Sequence, residues 1–115
     1  MSTQVLLDTN FIISCINKKI DFFEDLKFKG FQILIPRQVI VELKKLKVEL
    51  ALKLLEKEKK YYKFITLNKN YVDKGIIEFA KNNPRSIIAT LDKDLKNKIM
   101  NQNLIIRGSK KLEIV

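Results

Sequence analysis

Two aspartates follow apolar segments of the chain, in positions from which their carboxylates could act on one ion. Asp8 comes directly after the apolar run at 4–7, and Asp92 comes just past a second run at 86–89. If both runs are parallel strands, functional groups gather at their carboxyl ends, and neighbouring strand axes lie about 4.8 Å apart. The two carboxylates could then share a cation. Each aspartate also precedes a helical pattern, so helix N-capping is an alternative role for both.

Glu42 and Asp73 lie on predicted helices whose apolar faces indicate the direction of the core. At about 100° per residue, Glu42 falls at the border of the inward arc, which is defined by Val39, Ile40, Leu43 and Leu46. Asp73 falls inside an apolar face formed by Val72, Ile76, Ile77, Phe79 and Ala80. A carboxylate directed into a core is costly unless it is paired or coordinates a metal. Stabilisation of the helix dipole is the alternative role for Asp73. We expect Asp73 to point into the core and both acids to join the site.

Four converging carboxylates require a positive charge among them. Two unit charges roughly 5 Å apart at an effective dielectric of about 20 repel by about 3 kcal/mol. A divalent cation relieves that repulsion, and an all-oxygen ligand set suits Mg²⁺ or Mn²⁺. The chain has no His for a nucleophile pair, one Cys, which cannot build a zinc site, and three Gly, too few for a Gly-rich phosphate loop. Carboxylates with a hard metal are the main chemistry left.

The bulk composition indicates where such a site would operate. Lys and Arg outnumber Asp and Glu by 23 to 13, which gives a net charge of +10. Polyanions are therefore the expected partners, with nucleic acid first and an acidic membrane surface second. A lone Cys15 favours a reducing, cytoplasmic setting. No apolar run approaches the roughly 20 residues of a membrane helix, and no secretory signal is visible.

Strand-like and helix-like segments alternate along the chain. This alternation predicts an α/β fold with a central, mostly parallel, twisted sheet of about five strands and helices on both faces. The predicted strands are 4–7, 31–35, 63–67, 86–89 and 103–107, with a short edge strand from Lys111 onwards. The predicted helices are 11–17, 21–27, 36–46 with Pro36 at the first helical position, 47–60, 70–82 and 92–100. At 115 residues and 46% hydrophobic content, we expect one domain, residues 1–115.

Four segments together look like the motifs of a known family. They are VLLDTNF at 5–11, the stretch from Ile35-Pro36 to Glu42-Leu43, Val72-Asp73 with Ile76, and IATLDKDL at 88–95. The chain resembles the PIN-domain nucleases over nearly its whole length, with the motifs in the family's order. Its short length and the ending at 105–108 are most similar to small archaeal PIN proteins related to ribosome-processing nucleases. Toxin members of the VapC type are similar but usually longer.

The resemblance implies a three-layer PIN-like fold and a catalytic, metal-binding site made of Asp8, Glu42, Asp73 and Asp92. It implies Mg²⁺- or Mn²⁺-dependent hydrolysis of single-stranded RNA, in which a metal lowers the pKa of a water that attacks the phosphodiester. Asp8 and Asp92 would bind the metal directly, and the other two acids would complete the shell. Asp94 matches a further acidic position of some members and is an additional candidate ligand.

Two polar residues near the acids match the family pattern less specifically, and one dipeptide differs from it. Thr90 and Asn10 are candidates to orient Asp8 or contact phosphate, with turn and cap hydrogen bonding as the alternative role. Lys74 and Gly75 stand where relatives often carry a second acid and a small residue. That difference bears on metal binding or on the substrate channel.

The function expected from these motifs is a ribonuclease in rRNA processing. A VapC-type toxin ribonuclease and a non-catalytic RNA- or protein-binding PIN module are the alternatives, with an antitoxin or a ribosome-assembly factor as the protein partner. A phosphoryl-accepting receiver domain is disfavoured because Asp8 is a single acid after the first strand. A haloacid-dehalogenase-like phosphatase is disfavoured because Asn10 stands where a second Asp is needed. An apolar stripe at Leu50, Leu52, Leu54 and Leu55 suggests a homodimer.

Overall fold

The predicted alternation of strands and helices is present in the computed structural model, which describes residues 2–68, 71–108 and 110–115. The strands are β1 (Gln4–Leu7), β2 (Gln32–Pro36), β3 (Tyr62–Ile65), β4 (Ile87–Ala89), β5 (Asn103–Arg107) and β6 (Lys111–Ile114). The helices are α1 (Thr9–Asn17), α2 (Phe22–Phe28), α3 (Arg37–Lys45), α4 (Glu49–Lys57), α5 (Val72–Asn82) and α6 (Lys93–Asn97), with a 3₁₀ turn at Lys59–Tyr61. In these ranges no helix is both long enough and apolar enough to cross a membrane.

The six strands form one sheet in the order β3-β2-β1-β4-β5-β6. All neighbouring pairs are parallel except β5 and β6, which pair antiparallel. The prediction of a mostly parallel sheet is confirmed, and the candidate edge strand at the end of the chain is its sixth member. Because β1 pairs directly with β4, Leu7 lies opposite Ala89 and the two chains leave the sheet side by side.

Apolar side chains cover both faces of the sheet, as expected for a parallel sheet between helices. Alternation along β1 sends Val5 and Leu7 to one face and Leu6 to the other. The first face packs against α1 to α4 through residues such as Phe11 and Leu43. The second face packs against α5 and α6. Its buried residues are Leu6, Leu34, Leu67, Ile76, Ala80, Ile88 and Leu95. The result is a three-layer α/β structure.

Several predicted boundaries are wrong by a few residues. Pro36 closes β2, opposite Ile65, and precedes α3 as its N-cap with extended backbone (φ −62°, ψ 140°), so Arg37 is the first helical residue. The strand predicted at 63–67 ends at Ile65. The helix predicted at 92–100 ends at Asn97. The helix predicted at 47–60 is divided into α4 and the 3₁₀ turn, and Asn70, the predicted start of α5, lies outside the described residues.

A buried asparagine gives a physical reason for the short α6. The Nδ2 of Asn101 donates to the backbone oxygens of Asn83 and Ser86, both at 2.9 Å. To bring Asn101 into that position the chain must leave the helix early, and the N–H of Lys98 already bonds to the oxygen of Leu95 three residues back. A tertiary contact therefore ends a helix that local propensity would continue.

Candidate active site

The carboxyl ends of β1 and β4 bring together the two segments that carry the predicted aspartates. The backbone N–H of Asp8 donates to the oxygen of Ala89 at 2.9 Å, which extends the β1–β4 pairing by one residue. Asp8 then begins the turn into α1, and Asp92 begins α6 three residues after Ala89. The expectation that these strands are neighbours is confirmed.

Asp8 is a buried carboxylate, 6% exposed, held by two hydrogen bonds. Its Oδ1 accepts from the backbone N–H of Thr9 at 2.8 Å, and its Oδ2 accepts from the hydroxyl of Thr90 at 2.9 Å. Burial raises the pKa of Asp8, both hydrogen bonds oppose that rise, and the charges of Asp73 and Glu42 add to it. Asp8 is therefore an acid whose ionised form is costly in these surroundings.

Thr90 connects Asp8 to Asp92. Besides donating to Asp8, its Oγ1 accepts from the backbone N–H of Asp92 at 3.2 Å. The Oδ1 of Asp92 accepts from the N–H groups of Asp94 and Leu95, at 2.9 and 3.3 Å, and so caps α6. Both aspartates thus cap helices, as the alternative interpretation supposed. Capping uses one oxygen of Asp92 and leaves lone pairs free for a cation.

Glu42 reaches the site from α3, half-buried at the border of the apolar face, where the helical wheel placed it. Its Oε1 accepts a short hydrogen bond, 2.6 Å, from the hydroxyl of Thr9. Thr9 was missed as a functional residue. Its position was informative, because a hydroxyl directly after Asp8 opens a helix whose inward face is otherwise apolar. One dipeptide therefore supplies a carboxylate to the site and fixes a second one.

The prediction that Asp73 points into the core is wrong, because its side chain is exposed. Asp73 lies in the first turn of α5, where Val72 packs only partly against the core, and the buried residues of the helix begin at Gly75 and Ile76. Partial burial still raises the pKa of Asp73, the charges of Asp92 and Glu42 add to the rise, and Lys98 opposes it. Asp73 therefore lies within electrostatic reach of the other acids although it faces water.

A side-chain clamp that sequence reasoning missed positions the segment leading to α5. Gln38 of α3 donates from Nε2 to the oxygen of Leu67 at 2.9 Å, and its Oε1 accepts from the N–H of Leu67 at 3.3 Å. Leu67 in turn packs against Gly75, where an added Cβ would lie 2.7 Å from the Cβ of Leu67. Gln38 and Glu42 are one turn apart on the same helix, and that i, i+4 spacing places both on one helix face but does not identify Leu67 as the partner of Gln38.

The remaining candidates lie at the edge of this group. Asn10 is exposed in the first turn of α1, and Asp94 is exposed in the first turn of α6. Asp94 contributes its backbone N–H to Asp92, and its charge is not among those that raise the pKa of Asp8 or Asp73. The structure brings together Asp8, Glu42, Asp73 and Asp92, which we name the four-acid cluster, and leaves Asn10 and Asp94 at its border.

The four-acid cluster has the donor chemistry of a site for a hard divalent cation. Its donors are all carboxylate oxygens, and like charges act on one another within it. Across 2–68, 71–108 and 110–115, no group of three or more Asp, Glu or Cys side chains is arranged to hold an ion by itself. The two findings agree, because charges act over longer distances than metal–oxygen bonds. Mg²⁺ in such sites is bound by one or two carboxylates, with waters and substrate phosphate completing its octahedron.

Known proteins share this arrangement of elements. The family model for the PIN like domain matches residues 5–108. Ribonuclease VapC4 of Methanocaldococcus jannaschii is 34% identical over 125 residues, spanning 96% of this chain and 95% of that protein. The rRNA-processing protein fcf1 of Schizosaccharomyces pombe is 33% identical over 100 residues, 83% of this chain and 52% of fcf1, so the match spans about half of that relative.

The fold is also that of a solved nuclease domain. The structure of the PIN domain endonuclease Utp24 superposes with a TM-score of 0.82 at 28% identity, over 96% of this chain and 90% of that one. A family match over most of the chain, two relatives above 30% identity and a shared three-layer sheet lead to one conclusion. The chain belongs to the PIN-like domain family, whose relatives here include a ribonuclease, an rRNA-processing protein and an endonuclease.

Proposed function

We propose that the chain is a divalent-metal-dependent endoribonuclease that hydrolyses phosphodiester bonds in single-stranded RNA. The observation that carries the proposal is the buried Asp8 beside the like charges of Glu42 and Asp73. A fold that needed Asp8 only as a helix cap would not surround it with further acids, because each raises the cost of its charge. Similarity to a ribonuclease and to an rRNA-processing protein supports RNA as the substrate.

In the proposed mechanism Asp8 and Asp92 would hold the cation, Mg²⁺ or Mn²⁺, and Glu42 and Asp73 would complete its surroundings. When bound, the cation would lower the pKa of a coordinated water and shield charge that develops on the phosphate. The chain's own part is to orient the acids. Thr90 hydrogen-bonds both the carboxylate of Asp8 and the backbone N–H of Asp92, and the hydroxyl of Thr9 holds Glu42. The net charge of +10 would attract the phosphate backbone to this acidic site.

The experiment is cleavage of a mixed single-stranded RNA pool with Mg²⁺, Mn²⁺ or EDTA, with the wild type beside Asp8→Asn. Asp21→Asn is a matched control, because Asp21 is also a helix N-cap, accepting from the N–H of Glu24 at 3.1 Å, and it is exposed. We expect metal-dependent cutting by the wild type and by Asp21→Asn, and none by Asp8→Asn. A fully active Asp8→Asn protein would refute the mechanism.

The similar proteins suggest two biological roles for such a ribonuclease, rRNA processing and toxin action. Similarity to the rRNA-processing protein fcf1 favours rRNA processing, and the match to ribonuclease VapC4 over 95% of its length favours a VapC-type toxin as the second candidate. Controlled expression in a growing host distinguishes them. A toxin should stop growth only when the four-acid cluster is intact, and a co-expressed antitoxin should restore growth. RNA binding without cutting, with either metal, would instead indicate a non-catalytic RNA- or protein-binding PIN module.

Localisation, domain extent and binding partners complete the proposal. We propose a cytoplasmic protein of one domain, residues 1–115, that binds RNA and either an antitoxin or a ribosome-assembly factor. The homodimer prediction needs a different surface from the one expected, because the leucine stripe is not exposed as a unit: Leu50 is 69% exposed, but Leu55 is buried and Leu52 and Leu54 pack against the core. Sedimentation of the purified protein would test it.

A further inference from the structure

Tyr71 is an aromatic residue whose exposure has no structural explanation in the fold. It is 68% exposed and occupies the N-cap position of α5, where its side chain makes no capping hydrogen bond. Asp73 of the four-acid cluster follows two residues later. A large ring in water beside an acidic site is a candidate ligand contact, because an exposed tyrosine contributes little packing.

Lys74 accompanies this ring. Its Nζ lies 5.4 Å from the centre of the Tyr71 ring, so an aromatic face and an ammonium group share one surface in the first turn of α5. The rim around Asp73 therefore combines a stacking surface with a cation, the pairing used to bind single-stranded nucleic acid.

Topology separates this pair from a similar one elsewhere. Lys27 lies over the ring of Tyr61, 3.7 Å from Nζ to the ring centre, and Tyr61 is 49% exposed. Tyr61 comes directly before β3, at the amino end of a parallel strand, whereas Tyr71 comes after the carboxyl end of β3. Of these two tyrosine–lysine pairs, that of Tyr71 and Lys74 is on the edge of the sheet that carries the four acids.

We propose that Tyr71 stacks on an unpaired nucleobase next to the scissile phosphodiester while Lys74 contacts a neighbouring phosphate. The assignment rests on the proposed ribonuclease function for its place in the reaction. Stacking tolerates any base, since every base has a π face, so Tyr71 holds the strand without selecting its sequence. It would fix the position of the backbone relative to Asp73 and so determine which phosphate reaches the acids.

The test is the affinity for a short single-stranded RNA in EDTA, so that binding is measured without cleavage. Stacking on one base corresponds to about 5- to 150-fold in affinity. We expect Tyr71→Leu to weaken binding at least fivefold, Tyr71→Phe to retain it, and the matched control Tyr61→Leu to leave it unchanged. Wild type and Tyr71→Leu should bind an abasic oligomer equally. A plot of log K against log salt concentration has a negative slope, and Lys74→Gln should make that slope less negative by about 0.7.

The outcomes separate this proposal from the one on which it rests. If the wild type cuts RNA and Tyr71→Leu binds RNA as the wild type does, the stacking assignment is wrong and the nuclease stands. If nothing is cut but Tyr71→Leu still loses affinity selectively for RNA with bases, the stacking surface stands without the nuclease. A loss of equal size on the abasic oligomer would overturn the stacking assignment, since it would reflect backbone contacts.

Discussion

Replacing Thr90 with valine removes one hydroxyl from the centre of the four-acid cluster and leaves the side-chain shape almost unchanged. Thr90 is fully buried, donates to the Oδ2 of Asp8 at 2.9 Å and accepts from the N–H of Asp92 at 3.2 Å. A hydrogen bond to a charged group contributes about 1.5–3 kcal/mol, and a neutral one about 1 kcal/mol. We therefore expect Thr90→Val to lower the free energy of unfolding at neutral pH by about 2–4 kcal/mol.

The pH dependence of that loss identifies its cause. Burial places the pKa of Asp8 in the folded protein above its unfolded value, so the folded form holds this proton more tightly. The contribution of Asp8 to stability is then greatest at low pH and falls as pH rises above about 4. The Thr90 hydroxyl opposes the rise in the pKa of Asp8, so removing it raises that pKa further and increases the total stability lost as pH rises. The cost of Thr90→Val should be larger at pH 7 than at pH 4.

Urea denaturation in EDTA at the two pH values measures this effect. For 115 residues, a loss of about 2–4 kcal/mol corresponds to about 8–16 °C in Tm. Thr66→Val is the control, since it makes the same chemical change at an exposed position. In a double-mutant cycle, combining Thr90→Val with Asp8→Asn should show a coupling of about 1 kcal/mol. Equal losses at both pH values together with additive effects in the cycle would refute the reasoning.

Three further predictions concern the clamp, the acids and the buried thiol. Gly75→Ala would place its Cβ 2.7 Å from the Cβ of Leu67. Overpacking of about 1–3 kcal/mol, offset by about 1 kcal/mol of helix propensity, should lower the free energy of unfolding by up to about 2 kcal/mol and slow RNA cleavage. The contribution of Asp8 and Asp73 to stability in EDTA, measured as the difference between the wild type and Asp8→Asn or Asp73→Asn, should fall as pH rises from about 4 to 7, because the pKa values of both acids are raised. Mg²⁺ at about 100 times its Kd should restore about 2.7 kcal/mol. Burial raises the pKa of Cys15 to about 12, so its thiol should resist alkylation at pH 8 until urea unfolds the chain.

Each of these predictions has a contradicting result. Gly75→Ala with unchanged stability and activity would mean that Leu67 shifts without consequence for α5. The same Mg²⁺ stabilisation in Asp8→Asn as in the wild type would place the cation elsewhere. Alkylation of Cys15 in the folded protein at the rate of a free thiol would mean that α1 opens locally.

The sequence predicted the layers of the fold because the strands are buried on both faces and carry continuous apolar runs. Leu6 and Leu7 pack on opposite sides of the sheet, yet both are apolar, so the pattern identifies a buried parallel strand without any contact information. The placement of Asp8 and Asp92 followed from the same logic. Strand neighbours fix the positions of the residues that come directly after them.

What the sequence could not supply were boundaries and orientations set by tertiary contacts. The strand predicted to reach Leu67 stops at Ile65, because the side chain of Gln38 takes both the N–H and the oxygen of Leu67. The helical wheel put Asp73 on the apolar face correctly by angle. A wheel gives the angle of a residue about the helix axis but not how deep each turn lies in the core. It could not show that Asp73, in the first turn of α5, is exposed while Ala80, at nearly the same angle two turns later, is buried.

The amide clamp between α3 and the segment before α5 also bears on how rigidly the acids are held. α3 lies on one face of the sheet and α5 on the other. The contact of Gln38 with Leu67 therefore joins these two helical layers at the carboxyl ends of the strands. Glu42 is on the same helix, one turn away. If α3 shifts against the sheet, the clamp carries the start of α5 with it and keeps the spacing between Glu42 and Asp73. The site is thus preorganised: the fold confines the mutually repelling acids before any ligand arrives, so that a cation meets ligands that need little reorganisation.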